Sequence, residues 1–329
     1  MMVPVPAAEI DVDVPLTRAL LAEQHPDLLA GVDGDGLRVV ANGWDNVMVR
    51  LGDDLAVRLP RRALAAPLVE HEQQALPALV DRLRAAAPDV LVPAPLRVGR
   101  PSDALGYPWA WNVVPWVDGV SAESTPVAAR TAWARAFGRI LAALHVPAPD
   151  DAPPNPVRGV PLLQRAEASE DTALDERLRA APAEVRAGAR RLWGRALNAP
   201  VHDGPPVWLH GDPHPANLVV APGLDGRPDR LAAVVDWGDV TSGDPASDLG
   251  ALWLCFDAAG RAACRATIQE HANDGRGWDD ATWSRAAGWS LLYATNMLAH
   301  PDLHPRMVPI GRHALTALLA PDVRELASE

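Results

Sequence analysis

The hydrophobic pattern of the chain changes its period about one third of the way along. Up to about residue 116, short runs alternate between apolar and polar side chains, as in strands that bury one face. Beyond that point, apolar residues recur at the spacing of helices. A sheet-rich part followed by a helix-rich part predicts an α+β fold with two lobes, at residues 1–116 and 117–329.

The first lobe is predicted to hold a small antiparallel sheet. Gly52 and Asp53 lie between two alternating runs and form a hairpin turn signal. Apolar spacing predicts one helix before the sheet, at 15–29, and another within it, at 63–84. The predicted strands are 37–41, 46–51, 55–59, 96–98 and 109–116.

The second lobe is predicted to be mainly helical, with a few short strands. Helical spacing occurs at 127–145, 162–180, 183–198, 246–257, 261–273, 281–298 and 312–319. Short apolar runs predict strands at 207–209, 218–220 and 231–236. The proline-rich stretch 147–156 is predicted to be a loop.

The composition argues against several classes of protein. A formal net charge of -12 disfavours a nucleic-acid partner, because phosphate backbones are held by excess positive charge. No apolar run reaches the roughly 18 residues of a membrane span, and the N-terminus is acidic, so we expect a cytoplasmic protein without a membrane partner. Cys255 and Cys264 fit neither a disulfide scaffold nor a zinc cluster and are expected to be buried.

The richest polar cluster lies between the short strands of the second lobe. The loop H-G-D-P-H-P-A-N, at 210–217, contains Asp212 and, five positions later, Asn217. Asp236 ends the next predicted strand. Phosphoryl transfer needs a carboxylate that orients the attacking hydroxyl and oxygen ligands for Mg²⁺. These three side chains supply that set, which predicts a phosphotransferase.

This cluster resembles the signature of the aminoglycoside phosphotransferases and their macrolide phosphotransferase relatives, which share the protein-kinase fold. The resemblance rests on H-G-D-x-x-x-x-N, on a hydrophobic strand that ends in D-W, and on G-D-P-A-S-D-L-G at 243–250. It implies that Asp212 is the catalytic base, that Asn217 and Asp236 are the Mg²⁺ ligands, and that His210 organises the loop.

The same resemblance implies a bilobal protein-kinase-like fold. Its smaller N-terminal lobe, a β-sheet, would bind ATP or GTP, and its larger, mainly helical lobe would bind a hydroxylated small-molecule acceptor. Within the run at 243–250, Asp248 is expected to brace the catalytic loop from the start of a helix.

The strand L-A-V-R-L-P resembles the kinase motif V-A-I-K and places Ala56 and Arg58 on one face. The chain contains no lysine, so Arg58 would take the role of the lysine that contacts the nucleotide phosphates. In the helix that follows, L-V-E-H-E resembles the family's V-E-x-E pattern, with Glu72 as the partner of this arginine. An alternative is that Arg58 is a surface residue of the strand.

Two further segments are predicted to contact the nucleotide. N-G-W-D-N, at 42–46, resembles the loop that covers the phosphates, with Gly43 and Asn46 as candidate contacts, although a plain hairpin turn explains it equally well. The segment from Val114 to Trp116 occupies the place of the hinge between lobes, whose backbone would bind the base.

Other functions fit parts of the sequence. His210, Asp212 and His214 could form a metal-hydrolase site with Asp236. A pseudokinase that binds nucleotide without turnover and a macrolide or sugar kinase are further alternatives. We expect an acidic acceptor pocket that attracts polycationic aminoglycosides, on the basis of the net charge and the acidic residues Asp257, Glu270, Asp279 and Asp280.

Overall fold

The computed structural model describes residues 7–32, 36–167, 174–223, 229–299, 301–302 and 304–320. The fold is α+β, as predicted, with an antiparallel sheet in the N-terminal lobe and a larger, mainly helical C-terminal lobe. The predicted boundary after residue 116 falls between the last strand of this sheet and the first short strand of the helical lobe.

The sheet of the N-terminal lobe has five strands in the order β1-β2-β3-β5-β4, and all its neighbouring strands are antiparallel. Its strands are β1 (Leu37–Asn42), β2 (Asn46–Leu51), β3 (Leu55–Pro60), β4 (Arg97–Gly99) and β5 (Trp111–Pro115). Strand β3 lies in the centre, where Arg58 faces Met48 on one neighbour and Asn112 on the other. Arg58 therefore has a hydrogen-bonded strand on each side.

Two helices pack on this sheet, α1 (Val14–Gln24) and α2 (Ala66–Ala86). The predicted helix at 15–29 is divided, because Pro26 lacks an N–H group and constrains the residue before it, so a short 3₁₀ turn follows α1. In α2, buried residues recur every three or four positions and include Glu72 and Leu76. This spacing places Glu72 on the inner face of the helix.

The helical lobe is built around one long buried helix, α10, in which twelve residues are buried. The predicted helix at 246–257 is divided at Gly250 into two short helices, and residues 168–173 of the predicted helix at 162–180 lie outside the described part. The helices of this lobe are α3 (Ala134–Leu144), α4 (Leu162–Glu167), α5 (Leu174–Arg177), α6 (Ala183–Asn198), α7 (Ala246–Leu249), α8 (Ala251–Cys255), α9 (Ala258–His271), α10 (Asp280–Ala299) and α11 (Val308–Leu318).

Five short strands hold the polar loops of this lobe in place. They are β6 (Val120–Ser121), β7 (Val207–Leu209), β8 (Leu218–Ala221), β9 (Arg230–Val234) and β10 (Thr241–Gly243). Strand β8 pairs with β6 and β9, and β7 pairs with β10, all antiparallel. The loop 210–217 therefore joins β7 to β8, and the turn 235–240 joins β9 to β10. These two connections carry the cluster of polar residues.

The remaining expectations about the fold concern cysteines and membrane spans. Cys255 and Cys264 are both fully buried in the core of the helical lobe, as expected. Within the described residues, every helix is too short or too polar to cross a membrane.

Candidate active site

A cavity of about 380 Å³ lies where the sheet of the N-terminal lobe meets the two polar connections of the helical lobe. Eight of the residues predicted to contact nucleotide or metal line it: Gly43, Asn46, Arg58, Glu72, Val114, Trp116, Asn217 and Asp236. Ala56 is fully buried in β3 and is not among the described residues that line the cavity. His210 and Asp212 lie in the loop that carries Asn217.

Arg58 joins three separate elements at the back of this cavity. Its Nη1 donates to Oε1 of Glu72 in α2, and its Nη2 donates to Oδ1 of Asp236 at 2.7 Å. The side chains of Arg58 and Glu72 are only 9% and 4% exposed, which is inconsistent with a surface arginine. Burial by itself would lower the pKa of Arg58, but the two carboxylates more than offset this effect and raise it.

Asp236 has an uncommon backbone conformation for a residue that is not glycine. Its φ of 61° and ψ of 65° lie in the left-handed region, and β9 has already ended at Val234. The predicted strand at 231–236 is therefore two residues too long, because this conformation cannot continue a strand. Residues held in this region often occur at functional sites, where the surrounding packing maintains them.

A buried carboxylate, that of Asp248, holds the start of the loop 210–217 in place. Asp248 accepts the backbone N–H of His210 at 2.8 Å and that of Gly211 at 3.0 Å, and Nε2 of His145 lies 3.2 Å from the same carboxylate. Gly211 has a φ of 86°, and a Cβ atom there would lie 2.2 Å from the carbonyl oxygen of Asp239. Only glycine fits at this position.

The hydrogen bonds of His210 determine its tautomer. Its Nδ1 accepts the N–H of Asp212 at 3.2 Å, so its proton is on Nε2, which donates to the carbonyl of Val235 at 3.1 Å. The ring also packs against Trp237, with 4.5 Å between ring centroids. His210 therefore connects the loop 210–217 to the turn that carries Asp236.

These contacts disfavour the metal-hydrolase alternative. Both ring nitrogens of His210 are committed to the backbone, and Nδ1 of His214 accepts the N–H of Ala216 at 3.1 Å. In the part of the chain that the structure describes, no group of three or more histidine, cysteine, aspartate or glutamate side chains is arranged to hold a metal ion.

Asp212 lies between two basic side chains. Its Oδ2 is 3.2 Å from Nε2 of His214, and its Oδ1 accepts a hydrogen bond from Nη2 of Arg158 at 2.9 Å. Burial would raise the pKa of Asp212, but His214 and Arg158 lower it to well below its usual range. The carboxylate is therefore ionised at neutral pH.

Arg158 is a site residue that the sequence did not indicate. It lies 54 positions before Asp212, just beyond the proline-rich loop, and belongs to no motif. No local pattern signals an arginine in such a position, because the contact depends on how the loop packs.

Asn217 and Asp236 can supply oxygen ligands for a cation. Nδ2 of Asn217 donates to the carbonyl of Asp212 at 2.9 Å, which leaves its Oδ1 as the atom able to bind a metal. Asp236 has one oxygen engaged by Arg58 and a second that can bind a metal. Mg²⁺ prefers a small number of such oxygen ligands together with substrate phosphates, so the residues present fit this ion.

The remaining predicted contacts border the cavity on the side of the N-terminal lobe. The N–H of Trp116 donates to the carbonyl of Asp54 at 2.7 Å, and residue 115 is a proline, so a bound base would use other backbone groups of this segment. Across the cavity, Oδ1 of Asn46 is buried with no hydrogen-bond partner among the described residues. A donor group on a bound nucleotide would satisfy this oxygen.

Comparisons with known proteins identify the family and the fold of the chain. Residues 36–289 match the model of a family described as the phosphotransferase enzyme family, APH. The chain has the fold of a solved APH(2")-IIia complex with GDP and kanamycin, with 17% identity, coverage of 95% of this chain and 99% of that one, and a TM-score of 0.62.

Two other solved structures are also similar in fold. Macrolide 2'-phosphotransferase MphH from Brachybacterium faecium has 23% identity, coverage of 92% of this chain and 98% of that one, and a TM-score of 0.52. The streptomycin–ATP complex of APH(2")-IIa has 17% identity, coverage of 88% and 91%, and a TM-score of 0.51. No curated protein matches the chain. Because the family match extends over most of its length, the chain belongs to the APH phosphotransferase family.

Proposed function

We propose that this protein is a Mg²⁺-dependent kinase that transfers the γ-phosphate of ATP or GTP to a hydroxyl group of a small molecule, such as an aminoglycoside-like antibiotic or a related metabolite. The observation that carries the proposal is the position of Asp212, beside Asn217 and next to the cavity that Arg58 and Asp236 line. Solved structures with the same fold contain GDP with kanamycin, or ATP with streptomycin.

Asp212 would orient the acceptor hydroxyl and take its proton as the phosphoryl group departs. Its low pKa makes it a weak base, which suits a reaction whose loose transition state demands positioning more than proton abstraction. Arg58 would place a fixed positive charge against the phosphates. Bound Mg²⁺ would neutralise phosphate charge, with Asn217 and Asp236 as its protein ligands.

A neutral or singly charged acceptor, such as a sugar or a macrolide, is the second candidate. The specific observation in its favour is Arg158, because a guanidinium group already neutralises the carboxylate that would otherwise attract a cationic acceptor. The pseudokinase alternative has less support, since the carboxylate and both candidate metal ligands are present around one cavity.

The experiment is a screen of aminoglycosides, macrolides and simple aminosugars with ATP and with GTP, in the presence of Mg²⁺. Mass spectrometry of the acceptors reports the addition of a phosphoryl group, and Asp212→Asn protein is the control for background chemistry. We expect a phosphorylated product that requires Asp212. If the protein binds nucleotide tightly but phosphorylates no acceptor, or if the Asp212→Asn protein is equally active, the proposal is wrong.

A further inference from the structure

The carboxylate of Asp212 separates two regions of the site. On one side Asn217 contacts it and lines the cavity that contains Arg58 and Asp236. On the other side Arg158 contacts it, and Arg158 is not among the described residues that line this cavity. In-line transfer brings the acceptor hydroxyl to Asp212 from the side away from the nucleotide. Arg158, which contacts Asp212 outside the cavity, is therefore expected to border the path of the acceptor.

Arg158 is held in place by its neighbours in the loop. The side-chain oxygen of Asn155 accepts the N–H groups of Val157 at 3.0 Å and Arg158 at 3.1 Å. The amide nitrogen of Asn155 donates to Asp239 at 2.9 Å, which fixes the loop to the turn after β9. A Cβ atom on Gly159 would lie 2.5 Å from Leu209, so the backbone after Arg158 is tightly packed.

The surroundings of Arg158 include an aromatic ring and a second cation. Its guanidinium carbon lies 5.3 Å from the centroid of Tyr293 in α10, within the range of a cation–π interaction. Arg165 in α4 is close enough for the two charges to repel. Burial first, and then the positive charge of Arg158, lower the pKa of Arg165. Arg158 therefore contacts the carboxylate of Asp212 and lies within cation–π range of Tyr293.

The acidic residues that were expected to attract a polycation are engaged elsewhere. Asp257 caps α9, where it accepts the N–H of Gly260 at 2.8 Å, and Asp279 accepts the N–H of Thr282 in the first turn of α10 at 2.8 Å. Asp280 lies 3.7 Å from Arg265 and Glu270 lies 3.9 Å from His271. No contact that the structure gives for these four acids involves Asp212 or Arg158. The negative net charge of the chain is therefore not concentrated at Asp212 by these residues.

From these contacts, and on the basis of the proposed kinase function, we infer that Arg158 is a specificity-determining residue. It selects acceptors that present an oxygen atom of an uncharged or anionic group next to the reacting hydroxyl, and it disfavours acceptors with an ammonium group there. The guanidinium can donate to an acceptor oxygen while it holds Asp212, whereas an ammonium group must compete with it for the same carboxylate.

The expected effect on binding is large enough to measure. At an effective dielectric constant typical of a partly exposed site, two like charges a few ångströms apart weaken binding by about tenfold or more. Replacement of Arg158 by a neutral residue should remove this penalty and leave Asp212 available to a cation. The effect should decrease at high salt, because part of the site is exposed to solvent.

The test compares Arg158→Gln, Arg158→Lys and Arg84→Gln with the parent protein, all saturated with a non-hydrolysable nucleotide. Arg84→Gln removes the same charge from an exposed pair with Asp81 and is the matched control. Calorimetry measures the binding of kanamycin, a polyamine, and of an uncharged oligosaccharide at low and high salt. Thermal unfolding confirms that each variant is folded.

We expect Arg158→Gln to bind kanamycin about tenfold more tightly than the parent at low salt, with weaker or unchanged binding of the uncharged oligosaccharide. Arg158→Lys should retain the preference of the parent, and Arg84→Gln should match it. Unchanged or weaker kanamycin binding by folded Arg158→Gln protein overturns the inference. Because these are binding equilibria, they do not depend on turnover, and a failure of the kinase proposal would appear separately in the phosphorylation screen.

Discussion

Arg58 in the central strand of the N-terminal lobe donates to Asp236 in the helical lobe, with 2.7 Å between Nη2 and Oδ1, although the two residues are 178 positions apart in the sequence. The same guanidinium donates to Glu72 from its other terminal nitrogen. One side chain thus connects the sheet, helix α2 and a candidate metal ligand. Its planar fork reaches both carboxylates at once, which a lysine ammonium group could do only with poorer geometry.

Arg58→Ala should destabilise the protein as well as weaken nucleotide binding. The change leaves Glu72 buried without its cation, and breaking a buried pair in this way costs about 3 kcal/mol. Urea unfolding measures the loss of stability, and titration with a fluorescent nucleotide measures affinity. Arg58→Lys should be intermediate in both. A double variant, Arg58→Met with Glu72→Met, should recover stability but not nucleotide binding. A fully stable single Arg58→Ala variant would contradict this account.

Asp212→Asn should abolish most transfer while it leaves nucleotide affinity nearly unchanged. Asn217 and the backbone contacts of His210 keep the loop in place, but the carboxylate that is proposed to accept the proton is lost. A positioned base contributes roughly a hundredfold to ten-thousandfold to the rate. Single-turnover measurements with a responsive acceptor test this, with Asp81→Asn on the exposed surface of α2 as the control. Retention of more than about a tenth of the parent rate would argue against a role as base.

The same substitution should change how stability depends on pH. The folded state lowers the pKa of Asp212, so its ionised form stabilises the protein above the unfolded pKa of about 3.9, and this contribution is lost as the pH falls through the folded value. Asp212→Asn should therefore lower the free energy of unfolding by about 2 kcal/mol at pH 7. The difference from the parent should shrink below about pH 4. Equal stability of the two proteins at pH 7 would show that Arg158 and His214 do not stabilise this carboxylate.

Asp248→Asn should slow phosphoryl transfer, although Asp248 itself is not expected to contact either substrate. One oxygen that accepts a backbone N–H is replaced by an amide group that can only donate, so a buried N–H of His210 or Gly211 loses its partner. We expect a loss of about 1–3 kcal/mol in stability and a lower kcat with little change in nucleotide affinity. A normal kcat in a protein that has lost this stability would show that Asp248 has no part in positioning the loop.

Asp236→Ala should weaken the binding of the Mg²⁺–nucleotide complex more than the binding of free nucleotide. The residue lines the cavity with one oxygen engaged by Arg58 and a second able to bind the metal. Nucleotide titrations with Mg²⁺ and with a chelator separate the effect on metal binding from the effect on the nucleotide itself. The matched control is Asp239→Ala, which removes a carboxylate from the same turn. Asp239 accepts a hydrogen bond from Asn155. Equal losses with and without Mg²⁺ would rule out the metal assignment.

Much of the fold was predictable because its signals are local. Strand patterns predicted the strands that carry Arg58 and Val114, and helical spacing predicted α2. Glu72 was identified by its resemblance to the family's V-E-x-E pattern. The spacing of Asp212 and Asn217 within one loop also requires no knowledge of the rest of the chain. A hydrophobic period, a turn or a short loop is determined by residues that are close in the sequence, so these features can be predicted from the sequence of this chain.

Only the tertiary structure decided which distant side chains meet. Arg158 reaches Asp212 because Asn155 and Gly159 fix the loop between them, and neither contact leaves a pattern in the sequence. The left-handed conformation of Asp236, where a strand was expected to continue, likewise depends on packing around the turn. Hydrophobic periodicity indicates which face of a helix or strand is buried. Which charged side chains pair depends instead on how the loops pack against the hydrophobic core. The sequence by itself therefore determined the phosphotransferase framework and its loop of polar residues, while packing decided which charged side chains surround the carboxylate of Asp212.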